Sequence, residues 1–238
     1  MNFLSVNFDS HPNRQDYCIP NTFWGFRTMN SGKNKSENLS IYNNWFKKVW
    51  TQKSSSQLPG LSRLEFGLVQ VYTGNGKGKT TAALGQALRA SGHHVKSLII
   101  QFLKGGSYTG EYEAINYCLP LIKIIQTGRR FFINKEKISQ KDIDLNRKGF
   151  ATALDIATVD NDISLIILDE INVAVWLGII DIKEVLYLIK NKRKNLELIL
   201  TGRNAPQEII NAADLVTEMK EIKHYFSKNI PSRIGIEM

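Results

Sequence analysis

From residue 68 onward the chain alternates short apolar runs with longer stretches of helical character. Five runs have the continuous apolar sequence of strands buried on both faces, at 68–72, 95–102, 122–126, 163–169 and 196–201. The stretches between them predict helices at 80–91, 139–159, 181–192 and 206–213; Gly92 ends the first, and the last two follow start signals. This alternation predicts an α/β fold in which a mostly parallel sheet is covered by helices on both faces.

Residues 1–64 lack this pattern and are rich in Asn, Ser and Lys. The segments 31–38 and 54–60 have the composition of loops and linkers, so a loosely ordered N-terminal extension should precede one domain spanning 65–238. Apolar residues near helical spacing predict one short amphipathic helix at 39–53. This helix either docks on its own domain or serves as an arm over a ligand site or a neighbouring subunit.

The charge of the chain adds little to the functional picture. Of the net charge of +9, a large share comes from residues 1–64, which hold eight Lys and Arg against three Asp and Glu. Such a balance suits nucleic acid or ligands that carry phosphates, and does not choose between them. Cys18 and Cys118 indicate neither a disulfide framework nor a zinc site, and no apolar run is long enough to span a membrane. A cytoplasmic protein is expected.

The strongest chemical signal is a glycine-rich loop, TGNGKGKTT at 73–81, between the first predicted strand and the first predicted helix. Glycine lets backbone N–H groups turn towards phosphate oxygens, and the following helix adds the positive end of its dipole. Lys79 would place positive charge on the phosphates, and the Thr80 hydroxyl would bind Mg²⁺. The loop predicts an ATP site formed by Gly74, Asn75, Gly76, Lys77, Gly78, Lys79, Thr80 and Thr81.

This loop departs from the usual spacing of such motifs. In the pattern G-x-x-x-x-G-K-[ST] the first position is glycine, and this chain has Thr73 there. The loop is therefore one residue tighter than usual. Lys77 has two interpretations, a solvated loop lysine or a further phosphate contact.

A pair of carboxylates ends the fourth predicted strand. Four apolar residues at 165–168 precede Asp169 and Glu170. The carboxyl ends of parallel strands form the edge where open α/β sheets bind ligands, and a P-loop enzyme needs an acidic group near its metal. Asp169 or Glu170 is therefore a predicted metal ligand, together with Thr80, and the sequence does not choose between the two carboxylates.

At this point the sequence resembles the ATP:corrinoid adenosyltransferases of the cob(I)yrinic acid a,c-diamide type. The resemblance covers about residues 68–238. It is carried by TGNGKGKTTAALG at 73–85, IIQFLKGG at 99–106, TGE at 109–111, ILDEIN at 167–172, LTGRNAP at 200–206, IKH at 222–224 and GIEM at 235–238.

The resemblance implies a P-loop NTPase-like, RecA-like fold and an enzyme of adenosylcobalamin biosynthesis or salvage. Such an enzyme transfers the 5′-deoxyadenosyl group of ATP to Co(I) of a corrinoid and releases triphosphate. The triphosphate would lie reversed in the loop, with the ribose C5′ exposed to attack. Lys79 and Arg203 would be catalytic by stabilising the departing triphosphate, together with Mg²⁺ or Mn²⁺. Arg203 also has a structural interpretation, and Lys104 after the second strand has a functional and a structural one.

The resemblance also implies that aromatic side chains, which many family members carry in a G-F-T-W run, replace the lower axial ligand of cobalt. Here the corresponding residues are Gly128-Arg129-Arg130-Phe131, followed by Phe132. Arg129 stands at the first aromatic position, so the resemblance leaves Phe131 and Phe132 as corrinoid-binding candidates. Both also suit an ordinary apolar core.

The resemblance further implies a homodimer and an electron donor such as a reduced flavoprotein. Two other functional classes remain. An ordinary P-loop ATPase or kinase would cleave the β–γ bond, and the tightened loop disfavours it. A basic nucleic-acid-binding module would use ATP as a switch, and the aromatic residues between lysines at 42–50 would suit it. Neither nucleic acid nor a membrane is an expected partner.

Overall fold

The computed structural model describes residues 60–105, 109–129, 138–159 and 162–237. All of these residues belong to one unit that spans 49–238. The helix predicted at 39–53 lies outside the described residues, as do Phe131 and Phe132.

The centre of the fold is a six-stranded sheet in the order β3-β2-β4-β5-β1-β6. Every neighbouring pair of strands is parallel. The strands are β1 Val69–Thr73, β2 Lys96–Phe102, β3 Ile122–Thr127, β4 Ile163–Asp169, β5 Glu197–Thr201 and β6 Leu215–Glu218. The five predicted strands are confirmed.

Helices cover both faces of this sheet. Within the described ranges they are α1 Lys79–Gly92, α2 Gly110–Cys118, α3 Gln140–Thr158, α4 Ile171–Trp176, α5 Ile182–Asn191 and α6 Gln207–Ala212, with a 3₁₀ turn at Tyr225–Lys228. Helices α1 and α2 bury Ala83, Ala87 and Ile115 on one face. Helices α3 to α6 form the larger core on the opposite face. The predicted α/β class is confirmed, and no helix of the described chain is long and apolar enough to cross a membrane.

Polar capping boxes mark the starts of α3 and α5. The Ser139 side chain accepts a hydrogen bond from the Asp142 backbone N–H, and the Asp142 carboxylate accepts one from the Ser139 N–H. Asp181 and Glu184 form the same reciprocal arrangement at the start of α5. Such capping boxes satisfy N–H groups that have no partner inside the helix.

Three elements are absent from the sequence prediction. Helix α2 buries only Ile115, so its apolar face is narrow. Helix α4 is six residues of mostly apolar character, which carries no helical period. Strand β6 is exposed along its whole length and has no buried run to mark it. Each lacks the periodic burial on which the prediction relies.

Gly149 of α3 packs directly on β3. A Cβ there would lie 2.3 Å from Thr127 Cγ2. We expect Gly149→Ala to destabilise the protein by about 1–3 kcal/mol, because forced overpacking outweighs the better helix propensity of alanine. Gly85→Ala in α1 is the matched control, since nothing lies within 4 Å of its Cβ. It should stabilise by about 0.5–1 kcal/mol. Urea unfolding of both variants checks this, and a stabilised Gly149→Ala would contradict the packing.

Candidate functional site

The carboxyl ends of β1, β2, β4 and β5 surround a cavity of about 460 Å³. This is the edge at which open parallel sheets bind ligands. Predicted site residues and several others line the cavity: Asn75, Gly76, Lys77, Gly78, Lys79, Thr80, Thr81, Leu84, Lys104, Gly110, Glu111, Glu170, Arg203, His224, Gly235, Ile236 and Glu237.

The glycine-rich loop is held from outside by the chain that follows β6. Gly76 N donates to Met219 O at 2.7 Å. A Cβ on Gly74 would lie 2.4 Å from the same oxygen, and the φ angle of Gly74 is 92°. Glycine is therefore required there by both space and backbone conformation. The segment after β6 therefore packs directly against the glycine-rich loop.

Lys79 closes the loop on itself. Its Nζ donates to Gly74 O at 2.6 Å and to Gly76 O at 2.8 Å. Burial lowers the pKa of Lys79, while the charge of Glu170 acts in the opposite direction. The ammonium group is thus held by two backbone carbonyls of the loop, at the wall of the cavity.

Asp169 is fully buried and accepts four side-chain hydrogen bonds. At Oδ1 it accepts from Thr80 at 2.8 Å and from Thr201 at 2.7 Å. At Oδ2 it accepts from Gln101 at 3.1 Å and from Lys104 at 2.9 Å. Four donors occupy the principal lone-pair directions of a carboxylate, so this side chain is held rigidly and fixes Thr80 in turn.

Glu170 has a different setting from its neighbour. Its backbone is left-handed, with φ of 65°, and its N–H donates to Thr201 Oγ1 at 3.0 Å. Its side chain lines the cavity, whereas Asp169 does not. Burial, and then the charge of Asp169, raise the pKa of Glu170. A carboxylate in this setting gains from a nearby cation.

Arg203 lines the cavity from the turn after β5. Gly202 N donates to Tyr72 O at 3.1 Å, and Ala205 N donates to Thr73 Oγ1 at 3.3 Å. Both bonds tie this turn to the end of β1. Arg203 is exposed and faces the same cavity as Lys79.

Arg129 forms an ion pair with Asp142 of α3. Its guanidinium donates two hydrogen bonds to Asp142, a buried carboxylate that also accepts from Ser139. Arg129 precedes the segment 130–137, and Ser139 follows it shortly. A single carboxylate therefore holds both flanks of the segment that contains Phe131 and Phe132.

The Asp142 contacts predict a pH-dependent stability. Arg129, with help from Ser139, holds the pKa of Asp142 at about 2 against an ordinary value of 3.8. A lowered pKa in the folded state stabilises the protein above the ordinary value, and this contribution is lost as pH falls from about 4 to 2. The difference in melting temperature between the unaltered protein and Asp142→Asn should therefore be present at pH 7 and shrink across that window.

The control for this measurement is Asp144→Asn. Asp144 is an exposed aspartate on the same helix. Its effect on the melting temperature should stay small throughout. A penalty for Asp142→Asn that is independent of pH would contradict the ion pair.

The composition of the cavity suits a hard divalent cation that binds together with phosphate. No cluster of three or more His, Cys, Asp or Glu residues that could hold a metal was found in the described part of the chain. The Thr80 hydroxyl and the Glu170 carboxylate are oxygen donors in the cavity. Mg²⁺ is commonly held by one or two such groups plus substrate phosphates and water.

Several cavity residues were not assigned from the sequence. In the sequence Lys104 has two interpretations, and Glu111 and residues 235–237 stand only within the segments TGE and GIEM. Gln101 and Thr201 donate to Asp169, and no sequence motif marks either of them as a site residue. The available signal was position, since Gln101, Lys104 and Thr201 lie at or just after strand ends.

The parallel sheet, the tight glycine-rich loop and the buried acid bonded to Thr80 define a P-loop nucleotide-binding protein. Residues 65–238 match the family described as ATP:corrinoid adenosyltransferase BtuR/CobO/CobP. The chain belongs to this family, which confirms the resemblance.

Three relatives with the same name agree with the family match. The chain is 36% identical over 174 residues to a corrinoid adenosyltransferase of Sinorhizobium sp, covering 73% of this chain and 81% of that protein. It is 35% identical over 176 residues to one of Pseudomonas aeruginosa, covering 74% and 86%. It is 32% identical over 173 residues to one of Escherichia coli K12, covering 73% and 86%.

Proposed function

We propose that this protein transfers the 5′-deoxyadenosyl group of ATP to Co(I) of a corrinoid and releases triphosphate. The observation that carries the proposal is the tight loop with Lys79 and Thr80 at the base of a cavity, in a chain that belongs to this family. The pathway served is adenosylcobalamin biosynthesis or salvage.

The reaction needs little covalent chemistry from the protein. A cobalt–carbon bond forms with the electron pair of Co(I), and the bond from C5′ to the triphosphate oxygen breaks with its pair leaving on triphosphate. Co(I) belongs to the corrinoid substrate and is itself the nucleophile. The protein therefore acts by positioning the two substrates and by stabilising the charge that appears on the leaving group.

Three groups of the cavity are suited to that charge. Lys79 is held over the loop by two carbonyls and can donate to triphosphate oxygens. Backbone N–H groups of the loop other than that of Gly76, which donates to Met219 O, add neutral donors, and the first turn of α1 adds its dipole. Arg203 reaches the same cavity from β5 and supplies a second positive charge.

For the metal we assign Thr80 and Glu170 as the protein ligands of Mg²⁺ or Mn²⁺. Asp169 already accepts four hydrogen bonds, so its role is to orient Thr80 and to add negative charge behind it. When bound, the cation would neutralise the triphosphate as it departs.

The corrinoid side of the site is assigned to Phe131 and Phe132. At the first aromatic position of the related proteins this chain has Arg129, which is bonded to Asp142. The aromatic contact with the lower face of the corrinoid must then come from the residues that follow. We also propose that residues 1–64 form an extension that precedes the domain at 65–238. A cytoplasmic homodimer that receives electrons from a reduced flavoprotein completes the proposal.

The fate of the phosphate chain tests this function against its alternative. Purified protein would be incubated anaerobically with ATP, Mg²⁺ and chemically reduced cob(I)alamin, and the products followed by ³¹P nuclear magnetic resonance. We expect inorganic triphosphate in amounts equal to the corrinoid consumed. ADP and phosphate would instead place the protein among P-loop ATPases or kinases that cleave the β–γ bond.

A further inference from the structure

Lys104 is a lysine of the cavity lining that lies outside the glycine-rich loop. It follows β2, whose residue Gln101 is in register with Asp169 of β4. Its Nζ lies 2.9 Å from Asp169 Oδ2, and 30% of its side chain is exposed. It also lines the cavity, so the ammonium group has access to whatever fills that space.

Lys104 differs from the other donors to Asp169. Gln101 and Thr201 are buried and neutral, and the Thr80 hydroxyl is also neutral. Lys104 is thus the charged member of this set of four. Its positive charge offsets the negative charges of Glu170 and Glu111, which also line the cavity.

The backbone around Lys104 is fixed while its side chain is long. Leu103 N donates to Asn146 Oδ1 at 2.9 Å, and Lys104 O accepts from Gly128 N at 2.7 Å. A Cβ on Gly105 would lie 1.8 Å from Gly128 O, so the two loops are in backbone contact. The Cα of Lys104 is anchored, and its four-carbon stem can still change rotamer.

We propose that Lys104 exchanges its contact with Asp169 for the triphosphate when the nucleotide binds. In the empty cavity it is the counter-ion of Asp169 and Glu170. In the loaded cavity a divalent cation neutralises these carboxylates, and the lysine binds a phosphate oxygen. The inference rests on the proposed nucleotide site and adds a phosphate-binding residue from β2 to those of the loop.

The test is calorimetric binding of inorganic triphosphate in the presence of Mg²⁺. We expect Lys104→Gln to weaken binding by about 10- to 100-fold, the range of one charge-assisted hydrogen bond. Glutamine can still donate to Asp169, so the fold should persist. Lys104→Arg keeps the charge and should retain most of the affinity. If Lys104 instead stays on Asp169, its removal would leave the triphosphate affinity unchanged or tighter. That result would overturn the proposal.

Lys96→Gln is the matched control. Lys96 begins the same strand, is 28% exposed and pairs with Asp162, but lies at the opposite end of β2. Its triphosphate affinity should equal that of the unaltered protein. If Lys104→Gln alone does not fold, the same comparison is made in an Asp169→Asn background, where no buried charge is left unpaired. Equal triphosphate affinity of the single variant Asp169→Asn and of the double variant that also carries Lys104→Gln would overturn the proposal.

This experiment is separable from the test of function. Triphosphate binding involves no corrinoid. A protein that binds triphosphate through Lys104 but forms no cobalt–carbon bond would overturn the proposed function alone. Normal adenosyl transfer with triphosphate affinity indifferent to Lys104 would overturn this inference alone.

Discussion

Lys79→Met should lower the rate of adenosyl transfer by about 100- to 1000-fold. Methionine keeps the length of the side chain but removes the positive charge held over the loop by Gly74 O and Gly76 O. Loss of one donor aimed at developing charge commonly has an effect of this size. The rate at saturating ATP and corrinoid is the quantity to measure, because the charge on triphosphate grows as the C5′–O bond breaks.

Lys123→Met is the control for this substitution. Lys123 is an exposed lysine of β3, outside the cavity lining. Its rate should stay within about twofold of the unaltered protein, since surface substitutions away from special features have small effects. A rate for Lys79→Met that also stays within twofold would remove Lys79 from the reaction.

Glu170→Gln should lower transfer by about 100-fold and raise the Mg²⁺ concentration needed for half-maximal rate. The substitution removes the ionic oxygen that faces the cavity. Stability should not fall. The pKa of Glu170 is raised in the folded state, so its ionised form opposes folding above the ordinary glutamate pKa, and a neutral amide relieves this cost. A titration of rate against Mg²⁺, with urea unfolding in metal-free buffer, measures both effects.

Asp169→Ala is the contrasting variant. It would leave Lys104 without its buried partner and two threonine hydroxyls without an acceptor. Removing one partner of a buried pair commonly destabilises a protein by about 3–5 kcal/mol. We expect this loss of stability for Asp169→Ala and none for Glu170→Gln. If Glu170→Gln lost stability and Asp169→Ala did not, the roles assigned to the two carboxylates would have to be exchanged.

Much of the fold follows from apolar runs and caps that are visible in the sequence. The run ISLIILD at 163–169 becomes β4, which is buried from Ser164 onward. Ser139 and Asp181 mark helix starts through side-chain chemistry that depends on near neighbours alone. Such local signals suffice to predict five strands and four helices, because the core imposes a pattern on each of them.

The site was predictable where its chemistry is contiguous in sequence. Residues 74–81 were assigned from one motif, and all of them except Gly74 line the cavity. The bond between Lys104 and Asp169 joins residues 65 positions apart and depends on strand order, which no local pattern encodes. The contact of Met219 with the glycine-rich loop is hidden for the same reason, since it follows the exposed strand β6.

The central claim is that the C5′ carbon of ATP is transferred to cobalt. An isotope label at C5′ tests this claim most directly. ATP carrying ¹³C at C5′ would be incubated anaerobically with the protein, Mg²⁺ and cob(I)alamin, and the corrinoid product examined by ¹³C nuclear magnetic resonance and by its sensitivity to light. We predict that the label appears in a cobalt-bound methylene of a light-sensitive corrinoid, with one triphosphate released per label transferred. Label that stays in ADP while the corrinoid remains without a carbon ligand would contradict the account.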